Sequence, residues 1–251
     1  VEVHPQNYMM AGGPMHRWLA AIRDCLPLSF HSVGLSLGDP DGCDREELER
    51  FARLCERYEP AMVSDHLSWS SLAGERIPDL LPVPMTTAAL DHLAGEVSRV
   101  QDRLARPILI ENPSRMLAFA EDEYHEADFL KELCRRSGCG LLVDVNNLLV
   151  SEINTGQSPG DWLDAIDPAL VGEVHVAGHS IEHHGATCIA IDDHGSPVSE
   201  DCWRLLDRLI ARSGPLPVLV ERDNQVPAYA ELAAEVARAD ALVRREMADA
   251  A

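Results

Sequence analysis

Short apolar runs alternate along the chain with longer segments in which apolar residues recur every three or four positions. The short runs are rich in Val, Ile and Leu at consecutive positions, a pattern typical of parallel strands that are buried on both faces. These runs cover residues 1–4, 28–37, 61–67, 107–110, 140–145, 171–176 and 216–220. The pattern therefore predicts seven strands of a parallel sheet.

The segments between the runs predict amphipathic helices. In the segment 44–59, Leu48, Phe51 and Cys55 share one helical face. Ser158, which a proline follows, is typical of the residue that caps the start of a helix. Further helices are predicted at 86–104, 128–136, 199–213 and 227–251.

Alternating strands and helices predict an α/β fold with right-handed crossovers. An eight-stranded (β/α)8 TIM barrel needs one strand more than the seven runs supply, and the chain begins with VEVHP, inside a run and without Met. We therefore expect a single catalytic domain over residues 1–251, a TIM barrel whose first strand is missing from its N-terminus. An open doubly wound sheet is the alternative. The long connections 70–85 and 177–198 are expected to be functional βα loops.

Six of the predicted strands lead to a carboxylate or an imidazole near their carboxyl ends. In a (β/α)8 barrel these ends all face one mouth, where active sites lie. Carboxylates gathered there would repel one another, and a bound cation compensates for this repulsion. We therefore predict a metal centre. Its ligands, which are also the candidate catalytic residues, are His31, His66, Glu111, Asp144, His175 and Glu221.

Three further patterns supply more metal ligands. Asp192 and His194 are two residues apart, which places them on one side of an extended segment. Asn147 lies in DVNN just beyond the fifth run, and His179 lies in HVAGH just beyond the sixth. Imidazole and carboxylate ligands without thiolate are typical of iron, zinc or manganese sites. The sequence thus offers ligands for about three metal ions.

The charge of the chain excludes some classes of partner, and its cysteines indicate a cellular location. The chain has 251 residues, 42 of them Asp or Glu and 21 Lys or Arg, with a net charge of −21. Such an acid excess argues against binding to nucleic acid or to an anionic membrane surface. The seven cysteines are scattered without a CxxC pair, which favours a reducing cytoplasmic location over a disulfide scaffold.

Eight segments occur along the chain in a characteristic order: EVHPQNYM, FHSVGLSLG, SDHLSWS, LIENPS, LLVDVNN, GEVHVAGH, IDDHGSPV and ERDN. Together they resemble the multinuclear non-heme iron-dependent oxidative enzymes, a methanobactin-maturase-like family long catalogued as having unknown function. The resemblance extends from Val1 to about Asn224. It implies a xylose-isomerase-like TIM barrel whose mouth holds two or three irons in a mixed Fe(II)/Fe(III) state.

The resemblance also implies a role for each residue that matches a motif. His31, His66 and Glu111 match the ligands of one iron, and Glu111 would bridge to a second. The other ligands of the second iron would be Asp144, His175 and Glu221. A third, more labile iron would be held by Asp192, His194 and Asn147, with His179 beside them. The residues that support the ligands or face the substrate would be Asn7, Asp65, Asn112 and Ser114.

Known members of this family use dioxygen to modify cysteine residues of ribosomally made precursor peptides. Many act with a separate protein that recruits the leader peptide. The resemblance therefore implies iron- and dioxygen-dependent modification of a peptidyl cysteine, whose thiolate binds the metal, and a partner protein with which the chain forms a heterodimer.

Two alternatives remain open at this point. A zinc hydrolase or isomerase, similar to apurinic endonucleases or xylose isomerase, would use the same barrel and much of the same ligand pattern to activate water. The acid excess weighs against a DNA substrate, and Asn147 stands where a zinc hydrolase would favour His. A metal-storage protein would bind metal without consuming dioxygen.

Overall fold

The computed structural model of the protein describes residues 1–72, 74–185 and 187–249. The chain forms two compact units. The first unit comprises Val1–Glu111 and Glu132–Gly140, and the second comprises Asn112–Lys131 together with the described residues from Leu141 onward.

The first unit is built on parallel strands with helices between them. Its strands are β1 (Glu2–Val3), β2 (Ser29–His31), β3 (Met62–His66), β4 (Ser68–Leu72), β5 (Glu75–Pro82) and β6 (Leu109–Glu111). β1, β2, β3 and β6 pair in parallel in that order, whereas β4 and β5 form an antiparallel hairpin. Its helices are α1 (Pro14–Arg23), α2 (Arg45–Tyr58) and α3 (Thr87–Leu104).

Side-chain caps and buried apolar faces explain the two long helices of this unit. The Asp44 carboxylate accepts a hydrogen bond from a backbone N–H of the first turn of α2, and the Thr86 hydroxyl does the same for α3. Such caps satisfy amide groups that have no partner within the helix. The predicted faces are buried: Phe51 in α2 and Leu90 in α3 are fully enclosed. The helical predictions for 44–59 and 86–104 are therefore confirmed.

The second unit repeats the pattern with three parallel strands. Its strands are β7 (Gly140–Asp144), β8 (Val171–Val176), β9 (Ser180–His184), β10 (Thr187–Ile191) and β11 (Val218–Val220). β7, β8 and β11 pair in parallel in that order, and β9 pairs with β10 in an antiparallel hairpin. Helix α4 (Glu126–Ser137) has residues in both units, and the helices of the second unit are α5 (Val145–Thr155), α6 (Pro159–Ala165), α7 (Glu200–Ser213) and α8 (Tyr229–Asp249).

All seven predicted strands are present, four in the first unit and three in the second. The second run is shorter than predicted, because strand β2 ends at His31 and the chain then turns through Ser36, whose φ is +53°. The two long connections are not plain loops, since each contains a β-hairpin. Among the described residues, no helix combines the length and apolar character needed to span a bilayer.

One glycine holds the connection after β8 in place. A Cβ atom on Gly178 would overlap the backbone oxygen of Ser196 and lie 2.7 Å from that of Pro197. We expect Gly178→Ala to lower the free energy of unfolding by about 1–3 kcal/mol, because backbone rather than a flexible side chain must give way. Gly95→Ala, in the middle of α3 with nothing near its Cβ position, should instead raise it by about 0.5–1 kcal/mol. Urea denaturation measures the free energy of unfolding of each variant. Equal changes in the two variants would contradict the role assigned to Gly178.

Candidate metal centre

Three predicted ligands of the first unit meet at the carboxyl ends of β2, β3 and β6. The Nε2 atoms of His31 and His66 lie 3.2 Å apart. Glu111 Oε2 lies 3.1 Å from the first of them and 3.2 Å from the second. Strand pairing produces this convergence, because His66 and Glu111 occupy directly opposed positions of β3 and β6. All three side chains are buried.

Hydrogen bonds on the far side of each ring set which nitrogen faces the cluster. His66 Nδ1 lies 3.2 Å from the carbonyl oxygen of Ser32, which can only accept, so Nδ1 carries the proton of the neutral ring. His31 Nδ1 lies 2.8 Å from the Ser64 hydroxyl. Asp65 orients the backbone here, since its carboxylate accepts from the N–H of His66 at 2.6 Å and of Leu35 at 3.1 Å. Both imidazoles therefore present Nε2 to one point.

The spacing and the chemistry of these donor atoms fit a bound metal ion. Two ligands about 2.1 Å from a metal and at right angles to each other lie about 3.0 Å apart, close to the separations found here. Lone pairs of two imidazoles and a carboxylate at such distances repel one another, and a cation removes that repulsion. Two histidines and one carboxylate are the ligand set of non-heme Fe(II) sites that react with dioxygen.

Ser64 is the partner that holds the His31 ring, so its removal tests the arrangement. We expect Ser64→Ala to weaken metal binding by about 10–100-fold, because partners of this kind fix the orientation of a ligating histidine. Ser98→Ala is the control, since the Ser98 hydroxyl donates to the carbonyl oxygen of Ala94 within its own helix. Metal titration of both variants checks the prediction, and equal affinities would contradict it.

A second group of predicted ligands lies in the second unit. Ligand atoms of Asp144, His194 and Glu221 all fall within 4.8 Å of one another. Asp144 ends β7, and Glu221 directly follows β11. His175 is fully buried opposite Asp144 in the pairing of β7 with β8, and its Nδ1 lies 3.4 Å from Glu221 Oε1. Asp144, His175 and Glu221 therefore lie at or near the carboxyl ends of the three parallel strands of this unit, and His194 joins them from the connection that follows β10.

His194 lies between carboxylates. Its Nε2 is 2.9 Å from Asp192 Oδ1, and its Nδ1 is 2.9 Å from Asp223 Oδ2. Burial lowers the pKa of His194, but the carboxylates of Asp192 and Asp223 outweigh this effect and raise the pKa to about 12. A metal ion that binds here must displace a proton from the ring, as is general for histidine ligands.

The prediction that Asp192 and His194 lie on one side of an extended segment is wrong. His194 has a φ of +49°, so the segment is a left-handed turn rather than an extended stretch. The two side chains nevertheless converge, because the turn brings the imidazole back toward Asp192. Asp223, two residues after Glu221 in ERDN, is a charged neighbour that the sequence pattern did not single out.

Asn112 and Asn147 hold Asp144 in place. The Asn112 side chain accepts from the backbone N–H of Asp144 at 3.0 Å and donates to its carbonyl oxygen at 2.9 Å. Asp144 caps α5 by accepting from the backbone N–H of Asn147 at 2.8 Å. The Asn147 side chain donates in turn to the carbonyl oxygen of Asn112 at 3.1 Å. Asn112 thus orients the backbone of Asp144, the residue for which the sequence predicts a role as a ligand.

His179 connects to the second group through a residue that sequence reasoning missed. Its Nδ1 lies 2.8 Å from Asn146 Oδ1, and Asn146 Nδ2 donates to Asp192 Oδ1 at 2.8 Å. Burial lowers the pKa of His179, so the ring is neutral near pH 7. In the sequence, the feature that could have indicated a role for Asn146 is its position directly before Asn147 in DVNN.

The remaining two predicted residues lie outside these contacts. Asn7 is exposed in a 3-10 turn, Pro5–Tyr8, where its backbone N–H donates to His4. Ser114 is half-buried on the segment that follows Asn112. Gln6, which the sequence did not indicate, donates to the Ser32 hydroxyl at 2.8 Å and so supports the residue that orients His66.

Comparisons with known proteins place the chain in a family. Residues 1–244 match the family described as RiPP precursor modification enzyme MbnB/TglH/ChrH, where RiPP denotes a ribosomally synthesised and post-translationally modified peptide. A UPF0276 protein of Caulobacter vibrioides is 50% identical over 242 residues, which cover 96% of this chain and 86% of that protein.

Solved structures establish the fold. A xylose isomerase-like TIM barrel protein from Mycobacterium smegmatis, in complex with magnesium, gives a TM-score of 0.61 at 13% identity over 97% of this chain and 84% of that one. Endonuclease IV from Thermus thermophilus gives 0.54 at 15% identity over 94% and 84%. The fold is that of the xylose-isomerase-like TIM barrels, as predicted. By the match over residues 1–244, the chain belongs to the MbnB/TglH/ChrH family of RiPP precursor modification enzymes.

Proposed function

We propose that this member of the family uses iron and dioxygen to oxidise a cysteine residue of its precursor peptide. The family supplies the class of substrate, a ribosomally made precursor peptide. The observation that carries the finer proposal is the pair of histidines with one glutamate in the first unit, whose donor atoms lie 3.1–3.2 Å apart. This ligand set is typical of iron enzymes that react with dioxygen, and it leaves positions on the metal open for other molecules.

The proposal assigns each residue a task. His31, His66 and Glu111 would hold one iron. In the second unit, Asp144, His175 and Glu221 would hold iron, and a further labile ion would be bound by Asp192, His194, Asn147 and His179. Iron bound at these residues supplies a site for the cysteine thiolate and the reactivity toward dioxygen.

The surrounding residues orient the ligands and limit access of water. The hydroxyl of Ser64 and the carbonyl of Ser32 fix the two rings of the first unit, and Asn112 fixes the backbone of Asp144. His31, Glu111 and Asp144 are at most 2% exposed, so their carboxylates and rings act in a medium that strengthens interactions with charge. Asn7 and Ser114 would lie toward the peptide.

We further propose that a separate protein recruits the leader segment of the peptide and forms a heterodimer with this chain. Co-expression of the chain with the cysteine-containing peptide and the protein encoded beside it tests both points. The expected result is a change in the mass of the peptide that requires iron, dioxygen and the partner. A peptide whose cysteine is replaced by serine should remain unchanged.

Metal exchange separates this proposal from the zinc alternative. Protein stripped of metal should recover peptide modification with Fe(II) in the presence of dioxygen and should not recover it with Zn(II). Full activity of the zinc form, or activity without dioxygen, would overturn the oxidative proposal. Binding of iron with no change in any supplied peptide would instead favour the storage alternative.

A further inference from the structure

A cavity of about 770 Å³ in the second unit has no part in the function proposed above. None of the proposed metal ligands lines it. Its walls come from two stretches: residues 115–128, which lead into α4, and residues 155–165, which run from the end of α5 through α6. Its volume falls in the range of pockets that bind small ligands, so it has room for a long side chain together with neighbouring peptide.

Five acidic side chains line this cavity. They are Asp122, Glu123, Glu126, Asp128 and Asp161. Arg115, which also lines the cavity, donates to Asp122 at 2.9 Å, and Lys131 pairs with Asp128 at 2.8 Å, so five acidic groups against two cations leave an excess of three. A concave surface with this excess of negative charge attracts cations.

Glu126 is the buried acid of the cavity wall. It is 1% exposed. Its Oε2 accepts from Trp162 Nε1 at 2.8 Å and from Gln157 Nε2 at 3.0 Å, whereas Oε1 has no hydrogen-bond partner among the described residues. Burial raises the pKa of Glu126, and a cation beside the carboxyl would lower it again. A buried polar atom without a partner is rare in proteins, so this oxygen indicates a missing donor.

Aromatic residues complete the walls and select the kind of cation. Phe119, Tyr124 and Trp162 line the cavity beside the acids. Aromatic faces attract cations, and guanidinium groups most often. Lysine and arginine have an apolar stem, which can pack against the aromatic residues, and a charged head, which can pair with the acidic residues.

Helix α5 relates this cavity to the metal ligands of the second unit. It begins directly after Asp144 and ends at Thr155, a residue of the cavity wall. Its 11 residues span about 16 Å, a distance that about five residues of extended peptide cover. We propose that this cavity binds a lysine or arginine side chain of the precursor peptide, about five residues from a cysteine held at the metal ligands of the second unit. This inference rests on the function proposed above.

Binding of short probes tests the cavity without iron and without turnover. The probes are acetyl-Ala-Arg-Ala-amide and the same peptide with uncharged norleucine in place of Arg. The readout is the indole N–H signal of Trp162 in nuclear magnetic resonance spectra, assigned through Trp162→Phe. We expect the Arg probe to shift this signal and to bind about tenfold more tightly than the norleucine probe. The tenfold difference in Kd is the expected effect of one ion pair between the guanidinium and an acidic side chain of the cavity. Equal binding of the two probes would overturn the proposal.

Three variants locate the binding site. We expect Glu126→Gln to weaken the Arg probe about tenfold and Asp161→Asn about threefold. Asp161 is exposed, so its variant remains informative even if Glu126→Gln does not fold. Asp164→Asn is the matched control on the same helix, because Asp164 contacts Arg208 and does not line the cavity. An equal loss in Asp164→Asn would overturn the site.

Two further measurements separate the possible failures. Spermidine, a free polyamine, should bind more weakly than the Arg probe, and tighter binding of spermidine would overturn the assignment to a peptide side chain. In the full reaction, a precursor peptide with the relevant Lys or Arg replaced by norleucine should show a KM raised about tenfold with little change in kcat. An unchanged KM alongside intact iron-dependent modification overturns the cavity proposal alone. Probe binding without iron-dependent modification overturns the proposed function alone.

Discussion

Replacing Glu111 with Gln is expected to remove iron from the cluster of the first unit and to lower peptide modification by about 1000-fold, or about 4 kcal/mol of transition-state stabilisation. The amide keeps the size of the side chain but loses the charge that offsets that of the metal. Glu111 Oε2 lies within 3.2 Å of both imidazole nitrogens, so its charge acts directly at the point where the metal would bind. Iron content after anaerobic purification and the rate of peptide mass change measure the two effects.

Stability measurements distinguish a lost ligand from a damaged fold. In metal-free protein, Glu111→Gln should leave the free energy of unfolding unchanged or slightly higher, because it removes a buried charge. In iron-loaded protein the wild type should be the more stable, since metal bound only to the folded state adds to stability. Glu182→Gln, an exposed position on β9, is the control and should retain both iron and activity. A Glu111→Gln enzyme with full iron and full activity would refute the assignment.

Two replacements of Asp144, by Asn and by Ala, should both weaken metal binding, but only the replacement by Ala should lower the free energy of unfolding. Asp144 caps α5 through its side-chain oxygen, and asparagine caps a helix about as well as aspartate. Asp144→Asn should therefore hold the unfolding free energy of the metal-free protein within about 0.5 kcal/mol of the wild type, whereas Asp144→Ala should lose about 1 kcal/mol. Both should weaken metal binding in the second unit by about 100-fold or more, because the anionic ligand is gone.

A cap without metal ligands nearby provides the comparison for Asp144. Ser158 caps α6 through its hydroxyl, so Ser158→Ala should cost about 1 kcal/mol with no change in metal affinity. Urea denaturation without metal and anaerobic Fe(II) titration give the two quantities for each variant. If Asp144→Asn bound Fe(II) as tightly as the wild type, Asp144 would act only as a cap.

The sequence predicted the strands and the type of residue at their ends because both depend on local pattern. Runs such as LLVD and LIE are apolar on both faces and end in a carboxylate, so the same short pattern predicts both a buried strand and a candidate metal ligand at its end. The structure places His31, His66 and Glu111 in mutual contact, as pairing of parallel strands requires when each ligand ends its strand. The same logic brings Asp144 and His175 to opposed positions.

Hairpins and outer contacts were missed because they depend on partners that no local pattern reveals. β4 and β5 are partly polar, and their pairing stabilises what the pattern predicts as loop. Gln6 meets Ser32, and Asn146 meets both His179 and Asp192, across 26 to 46 residues of chain. Asparagine, glutamine and serine are common at surfaces, so their type gave no signal.

The sequence by itself determined the α/β class, the order of strands and helices, and the set of metal-capable residues at the strand ends, because periodicity and residue type are local properties. Only the tertiary structure decided which nitrogen of each ring faces the cluster, since that depends on Ser64 and Ser32. It also decided that a left-handed turn brings His194 to Asp192, and that a cavity with acidic residues in its wall forms beside Glu126. Backbone angles and contacts between distant segments follow from packing, and packing is fixed only when the whole chain has folded.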